Sequence, residues 1–319
     1  MTIVVTTRRL PRAVEDELAR RYTVRKLDAE FTPPREAIIE ACQGADVLLK
    51  TAGDPMPADM VAELPDSIRM VASYGAAVEL MDVKALAARG IEVSNTPGAV
   101  TDDTADLAFG LIIAACRRFS EADRLVRSGE WKGVTVTGML GQRVSGRTLG
   151  IVGMGRIGSA VARRAQGFGM TILYHNRKPS PEAEALKARY CGRLDDLLRE
   201  ADIVVLCCPL TPETHHLIDA AALNTMKRTA VIVNVARGAV IDEAALIQAL
   251  SNGTIAAAGL DVYEFEPGIE RALLDLPNTV LLPHIGTATE DGRVAMGMRA
   301  IANIESFLKT GKAQDRVTP

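Results

Sequence analysis

Histidine and tryptophan are scarce in this chain, and its cysteines form no pattern. The 319 residues include 4 His, 1 Trp and 5 Cys. Cys42, Cys116, Cys191, Cys207 and Cys208 are odd in number, scattered and without a C-x-x-C pair. That leaves no basis for a disulfide framework and reads as reduced thiols in a cytoplasmic protein. An excess of charge is missing too, since 37 Lys and Arg against 40 Asp and Glu give a formal charge of −3. Such a balance presents no basic footprint for nucleic acid and no basic stripe for a membrane surface. No apolar run approaches the roughly 20 residues of a membrane span. The opening Met1–Arg8 reads as a strand running into a polar turn, too short for the apolar core of a signal peptide. Short repeats, low-complexity tracts and the long disordered extensions of a recruiting protein are likewise absent.

What is present is an alternation of short apolar runs with helix-length segments, over a length that favours two cores rather than one. In the first hundred residues, Ile3–Val5, Tyr22–Arg25, Val47–Leu49, Ile68–Ala72 and Ile91–Val93 read as strands. Between them, Arg12–Arg21, a segment opened by Pro33-Pro34, and Val83–Ala88 have helical spacing. Strands separated in this way predict a mostly parallel sheet. Asn95-Thr96-Pro97-Gly98 breaks the pattern and marks a boundary. The helix that follows, Thr101 to about Arg118, is apolar nearly all round, which predicts burial between larger bodies. Glu130 to Arg147 has no period and holds Trp131, the one tryptophan. A second series of strands then begins, at Leu149–Val152, Thr171–Tyr174, Ile203–Cys207, Ala230–Asn234, Ala257–Leu260 and Val280–Leu282. A helix from Glu290 to Lys309 closes the chain.

The first strand of the second series runs straight into Gly153-Met154-Gly155-Arg156-Ile157-Gly158 and then into good helix formers. Strand, G-x-G-x-x-G and helix is the order a dinucleotide site needs. Gly153 permits the turn, Gly155 admits a pyrophosphate, and Gly158 lets helix and strand approach. The helix start offers unpaired N–H groups and a partial positive charge to the phosphates. Because ligands of doubly wound sheets sit beyond the carboxyl ends of the strands, the polar residues just after each strand are the candidates. They are Asn176-Arg177-Lys178, Cys208-Pro209, Arg237, Asp261 with Glu266, and His284. Arg, Glu and His suit reduction of a 2-keto acid: the first grips a carboxylate bidentately, the last donates a proton, and the Glu orients the imidazole. Pattern alone leaves alternatives, namely a core histidine, a solvated arginine in a turn and an ordinary loop glutamate. His215 and His216 are adjacent but lack Cys or acid partners at metal spacing, so no metal is predicted.

Three runs narrow these alternatives: Asn234-Val235-Ala236-Arg237-Gly238, Gly259-Leu260-Asp261-Val262-Tyr263-Glu264-Phe265-Glu266-Pro267, and Pro283-His284-Ile285-Gly286-Thr287-Ala288-Thr289. Together with Asn95-Thr96-Pro97, Cys116-Arg117-Arg118 and Pro209-Leu210-Thr211-Pro212-Glu213-Thr214, they resemble the D-isomer-specific 2-hydroxyacid dehydrogenases across nearly the whole chain. The resemblance implies two doubly wound α/β domains. A Rossmann cofactor domain (99–289) is inserted into a flavodoxin-like substrate domain (1–98 and 290–319), with a cleft that closes on substrate and a homodimer formed by the cofactor domains. It implies Arg237 as the substrate-carboxylate arginine, Glu266 as the histidine's partner and His284 as general acid/base. Asp261 would meet the nicotinamide carboxamide. Thr104, Met154, Arg156, Ile157, Cys208, Pro209, Thr214, Val235, Ala236 and Gly286 join the glycine turn in the implied cofactor site.

The strand-end run Tyr174-His175-Asn176-Arg177-Lys178 carries no acid to bond ribose hydroxyls, and it holds two cations suited to a 2′-phosphate. NADPH is therefore the expected cofactor, read by Arg177 and Asn176 with Lys178 contributing less, and NADH remains possible. The segment from Thr96 to Arg118 is most similar to glyoxylate/hydroxypyruvate reductases within the family. Two departures bear on the substrate. Gly75-Ala76-Ala77-Val78-Glu79 stands where the family has Gly-Val-Gly, an aromatic residue and Asp, so Ala76 and Ala77 would meet the carboxylate through their N–H groups. Val134 stands where those reductases tend to carry a second tryptophan. The readings left open are a small 2-keto acid, a bulkier one, and a nucleotide-sensing binding protein on the same scaffold. The run Tyr-His-Asn-Arg speaks against an NAD-dependent formate enzyme.

Overall fold

The β-branched and apolar runs pair only with strands of their own part of the chain. The computed structural model describes Met1–Pro319 and divides into two units, Met1–Val100 with Ala288–Pro319, and Thr101–Thr287. The first unit contains β1 (Ile3–Arg8), β2 (Thr23–Ala29), β3 (Val47–Thr51), β4 (Met70–Tyr74) and β5 (Glu92–Ser94). All are parallel, in the order β2-β1-β3-β4-β5, the flavodoxin-like arrangement. Its helices α1 (Arg12–Arg21), α2 (Arg35–Ala41), α3 (Ala58–Glu63) and α4 (Val83–Ala88) cover both faces. Val5, Leu48 and Val71 pack with Ile38, Met60 and Leu86 on one side. Val4, Val47 and Leu49 pack with Leu18 and with Met296, Ile301 and Ile304 of the C-terminal helix (Glu290–Thr310) on the other. Central parallel strands must be apolar on both faces, which is why these strands read as runs rather than alternations. Thr289 caps the C-terminal helix by accepting the Gly292 N–H at 2.9 Å. Its fully buried Asn303 donates to the Asn95 carbonyl at 2.9 Å.

The second unit contains β6 (Thr148–Val152), β7 (Thr171–His175), β8 (Arg189–Tyr190), β9 (Ile203–Leu206), β10 (Val231–Asn234), β11 (Ala257–Leu260) and β12 (Thr279–Leu281). They form one parallel sheet in the order β12-β11-β10-β9-β6-β7-β8. Chain order reverses at β6, so the switch point of a doubly wound sheet lies beside the glycine turn. Helices α5 (Thr101–Cys116), α6 (Phe119–Arg127) and α7 (Arg156–Gly167) precede α8 (Leu194–Glu200), α9 (Ala220–Thr225), α10 (Glu243–Ser251) and α11 (Arg271–Leu274). Ile112 of α5 and Val161 of α7 join Ile151 and Val233 in one core; Leu197 of α8 and Leu246 of α10 join Val204 and Ile232 in the other. The helix α5 packs on α7, β10 and β11 of its own unit. Its all-round apolarity thus reflects a sheet on one side and a helix on another. The six-residue α9 is too short to show a period in the sequence. Asp219 starts it by accepting the Ala222 N–H at 2.9 Å.

One buried charge stands out in the first unit. Lys50, next to last in β3, is 2 % exposed and lies in register beside Ser73 of β4. Nearby Asp54 accepts from Thr7 Oγ1 at 2.6 Å and Arg8 Nε at 2.7 Å. Burial pushes the Lys50 amine down to about 8, against the pull of Asp54, because a buried ammonium loses its hydration. Unfolded lysine keeps its proton up to an ordinary value of 10.5. The unfolded state therefore holds more protons between those two values, and stability rises with pH across that window. Lys50→Met should accordingly stabilise the protein by about 3 kcal/mol at pH 7 and about 1 kcal/mol at pH 10. Thermal unfolding at the two pH values checks this; an unchanged gain would assign the effect to packing instead of charge.

Candidate active site

The polar residues of the second unit gather where its strands end. After β6 the chain turns at Gly153, whose φ is +100°. A Cβ there would lie 2.5 Å from the Cys208 nitrogen, and one at Gly158 would lie 2.2 Å from the Gly153 oxygen. Both positions therefore need glycine for close approach. Gly155 is different, since a Cβ would meet nothing within 4 Å, leaving an open face over the turn. The helix ladder of α7 begins with the Ser159 N–H donating to the Gly155 carbonyl at 2.9 Å. The N–H groups of Arg156, Ile157 and Gly158 thus lie ahead of the ladder, as orphan donors at a helix start. Open backbone, orphan donors and the dipole of α7 suit a pyrophosphate, so the residues present fit a dinucleotide.

At the end of β7, Asn176 turns back on this loop: its Oδ1 accepts the Met154 N–H at 2.7 Å. Asn176 is thus a brace for the glycine turn, a role its sequence position did not reveal. Arg177 and Lys178 beside it are exposed. After β9, Cys208 is buried, and burial pushes its thiol up to about 11, which makes it a packing residue rather than a reactive one. The Thr214 hydroxyl accepts the Thr211 N–H at 2.7 Å and donates to the exposed Pro209 carbonyl at 2.7 Å. It closes that loop on itself.

The ends of β10, β11 and β12 bring together the remaining candidates. Asn234 donates from Nδ2 to the Arg237 carbonyl at 2.9 Å and accepts the Ala236 N–H at 3.0 Å. This shapes the turn that carries Arg237. A Cβ on Gly238 would lie 1.8 Å from the Tyr263 carbonyl carbon, so only glycine lets the Arg237 turn pack against the Tyr263-Glu264 backbone. Glu266 Oε1 accepts the Tyr263 N–H at 2.8 Å, and Oε2 lies 2.7 Å from His284 Nδ1. His284 itself has φ +55°, a left-handed conformation that costs energy in a non-glycine residue and persists only where its surroundings enforce it. They do so here: Asp261 Oδ1 accepts the Ile285 N–H at 2.7 Å and Oδ2 the Gly286 N–H at 2.8 Å. Thr104, buried on α5, donates to the Gly286 carbonyl at 3.1 Å.

These neighbouring carboxyls are driven apart in acidity. Burial raises both, but the hydrogen bonds from His284 and Tyr263, with the charges of His284 and Arg237, outweigh it at Glu266 and hold that carboxyl below its ordinary value. At Asp261 burial wins over the two N–H donors, and the nearby Glu266 adds to the rise. Glu266 is thus a carboxylate at neutral pH and can only accept. The hydrogen between it and His284 therefore belongs to Nδ1, which leaves Nε2 of the half-exposed ring for another partner. A histidine so held can pass a proton at Nε2.

The model of the D-isomer specific 2-hydroxyacid dehydrogenase NAD-binding domain matches residues 109–286. The chain belongs to this family of dehydrogenases. A glyoxylate reductase of Thermococcus kodakarensis is 44% identical over 308 residues, covering 95% of this chain and 92% of that protein. A crystal structure of a glyoxylate reductase from Paecilomyes thermophila has a TM-score of 0.87 at 37% identity, covering 99% of this chain and 98% of that one. That of an NADPH-dependent glyoxylate/hydroxypyruvate reductase from Sinorhizobium meliloti, in complex with NADP and malonate, has a TM-score of 0.88 at 33% identity. It covers 99% of this chain and 96% of the other. The protein is therefore an NAD(P)-dependent oxidoreductase with a Rossmann cofactor domain.

In this dehydrogenase Val235 and Ala236 are buried backbone neighbours of Arg237. Ala76 and Ala77 lie in the other unit, on the loop after β4; their N–H groups donate to nothing within the chain. Neither alanine has a left-handed backbone, so the missing glycine is not needed for the loop's shape. Sequence reasoning missed Tyr263 as a site residue. Its N–H holds Glu266 and its hydroxyl donates to the Leu282 carbonyl at 2.9 Å, and only its place between Asp261 and Glu266 could have marked it. Asp261→Ala should strip both N–H groups of their acceptor, cost about 3 kcal/mol of stability and slow turnover by about an order of magnitude or more. Thermal unfolding with steady-state kinetics checks this, and Asp261→Asn, which keeps one acceptor, should fall between.

Proposed function

We propose that the protein is an NADPH-dependent reductase of small 2-keto acids, converting glyoxylate to glycolate and hydroxypyruvate to D-glycerate. The observation that carries this reading is the Glu266–His284 pair, held at 2.7 Å in a left-handed loop next to the Arg237 turn. When bound, the nicotinamide supplies a hydride to the carbonyl carbon. Arg237 holds the substrate carboxylate through its planar fork. His284 gives its Nε2 proton to the carbonyl oxygen as negative charge develops there. Glu266 holds the ring in the tautomer this transfer needs and offsets the charge of the imidazolium. Asp261 positions His284, with the nicotinamide carboxamide as its further partner.

NADPH preference is supported by the strand end that follows β7. No carboxylate follows His175 there, and Arg177 and Lys178 are exposed cations without an ion pair in the chain. The 33%-identical Sinorhizobium meliloti enzyme is NADPH-dependent by name and holds NADP. A homodimer is supported by the apolar surface of the second unit. Val134 and Val136 are 93% and 94% exposed, Trp131 and Leu140 more than half exposed, and α6 has no buried residue. Single exposed apolar residues are ordinary, whereas a continuous set of them marks an interface.

The deciding measurement is kcat/KM for glyoxylate, hydroxypyruvate, pyruvate and phenylpyruvate with NADPH and NADH. The first two with NADPH should lead; a lead by phenylpyruvate would assign a bulkier substrate, as Val134 in place of an aromatic ring allows. His284→Ala should lower turnover by roughly 10²–10⁴-fold, and retained turnover would remove it from the proton transfer. Arg177→Ala should weaken NADPH while leaving NADH nearly unchanged, whereas equal losses would make Arg177 structural. Val134→Asp with Val136→Asp should shift the protein toward monomer in sedimentation, and an unaltered dimer would place the interface elsewhere.

A further inference from the structure

Adjacent histidines follow β9 at positions 215 and 216, and the sequence offers them no acidic partner at metal-ligand spacing. The fold supplies one. The loop after β11 brings Glu264 to His216, whose Nε2 lies 2.7 Å from Glu264 Oε1. His216 has φ +51°, a left-handed backbone in which its ring meets the carboxylate. His215 stacks beside it with ring centroids 4.0 Å apart. One ligand atom from each of the three residues lies within 4.8 Å of the others.

Glu264 is also held from behind. Its Oε2 accepts the Glu243 N–H at 3.3 Å, and its own N–H donates to Glu243 Oε2 at 3.1 Å. Glu243 is 4% exposed and its Oε1 has no partner. A carboxylate whose second oxygen is fixed by a backbone donor, with the first facing two imidazoles, has the outer support that orients metal ligands. His215 is exposed, which gives an ion a way in from solvent.

We propose that His215, His216 and Glu264 form a site for a divalent transition-metal ion of the zinc or cobalt class. Two nitrogens and one oxygen suit borderline ions and are too few oxygens for calcium or magnesium. Three protein ligands leave a fourth position for water. Binding replaces the His216–Glu264 hydrogen bond by one bond from each residue to the ion, and it ties the loop after β9 to the loop after β11. Glu264 stands two residues before Glu266, and Tyr263 between Asp261 and Glu264 donates to Glu266. An ion at this site therefore acts on the orientation of the Glu266–His284 pair, as a regulator and not as a participant in hydride transfer. The turnover effect rests on the reading of Glu266 given above; the binding itself does not.

The test titrates the full-length protein with Zn²⁺ by calorimetry and with Co²⁺ by visible absorption, using wild type, His215→Ala, Glu264→Gln and His284→Asn. The expected result is one ion per chain. Affinity should fall about 10-fold or more in His215→Ala and Glu264→Gln and be retained in His284→Asn. Basal turnover of His215→Ala should match wild type while its response to Zn²⁺ is lost. Absence of binding at millimolar ion would overturn the site. So would binding that survives His215→Ala and Glu264→Gln and disappears in His284→Asn, because the ion would then sit on the Glu266–His284 pair. Binding as expected with no change in turnover would keep the site and overturn its regulatory reach.

Discussion

Asp261 holds the loop after β12 by accepting two consecutive N–H groups, those of Ile285 and Gly286. Those bonds, with Thr104 donating to the Gly286 carbonyl, hold His284 in a left-handed backbone that its side chain disfavours. With them, the imidazole is delivered to Glu266, and Glu266 is itself anchored by the Tyr263 N–H. The Glu266–His284 pair thus depends on a buried carboxylate from one strand end that dictates the backbone at the next. The arrangement separates the acidity of two neighbouring carboxyls. Asp261, enclosed and near Glu266, is raised; Glu266, with a histidine and an arginine facing it, is lowered.

The same principle runs through the rest of the second unit, where side chains at strand ends shape neighbouring turns. Asn234 forms the Arg237 turn, Asn176 braces the glycine turn, and Thr214 closes the loop after Cys208. Gly238 lets the Arg237 turn pack against the Tyr263-Glu264 backbone. The parallel sheet makes this possible, because every strand ends on the same edge and each loop finds its neighbour within hydrogen-bonding reach. Glu243 and Glu264 extend the scheme one layer outward and bring His216 into it.

Much of this was legible in the residues. Continuous apolar runs such as Val47–Leu49 and Ile203–Cys207 announced buried parallel strands, and the glycine spacing announced a dinucleotide turn. Arg237, Glu266 and His284 stood out as the chemically capable residues after strands. The misses have physical reasons. The helix α9 is too short for a period, and β8 is two residues long. Asn176 also braces the glycine turn, a role its position does not announce because its amide folds back on Met154. Tyr263 holds Glu266 through its backbone N–H, which every residue but proline possesses, so no side-chain pattern marks that bond.

The sequence by itself determined the local chemistry: which segments are apolar enough to be strands, where glycine permits turns, and which side chains can hold a carboxylate or move a proton. Those are properties of single residues and their near neighbours. Only the tertiary structure decided which groups meet. Glu264 and His216 are 48 residues apart, and Asp261 reaches across 24 and 25 residues to Ile285 and Gly286. Such distances close only when parallel strands align their ends, and the crossovers that bring them there carry no mark of the partners they will join.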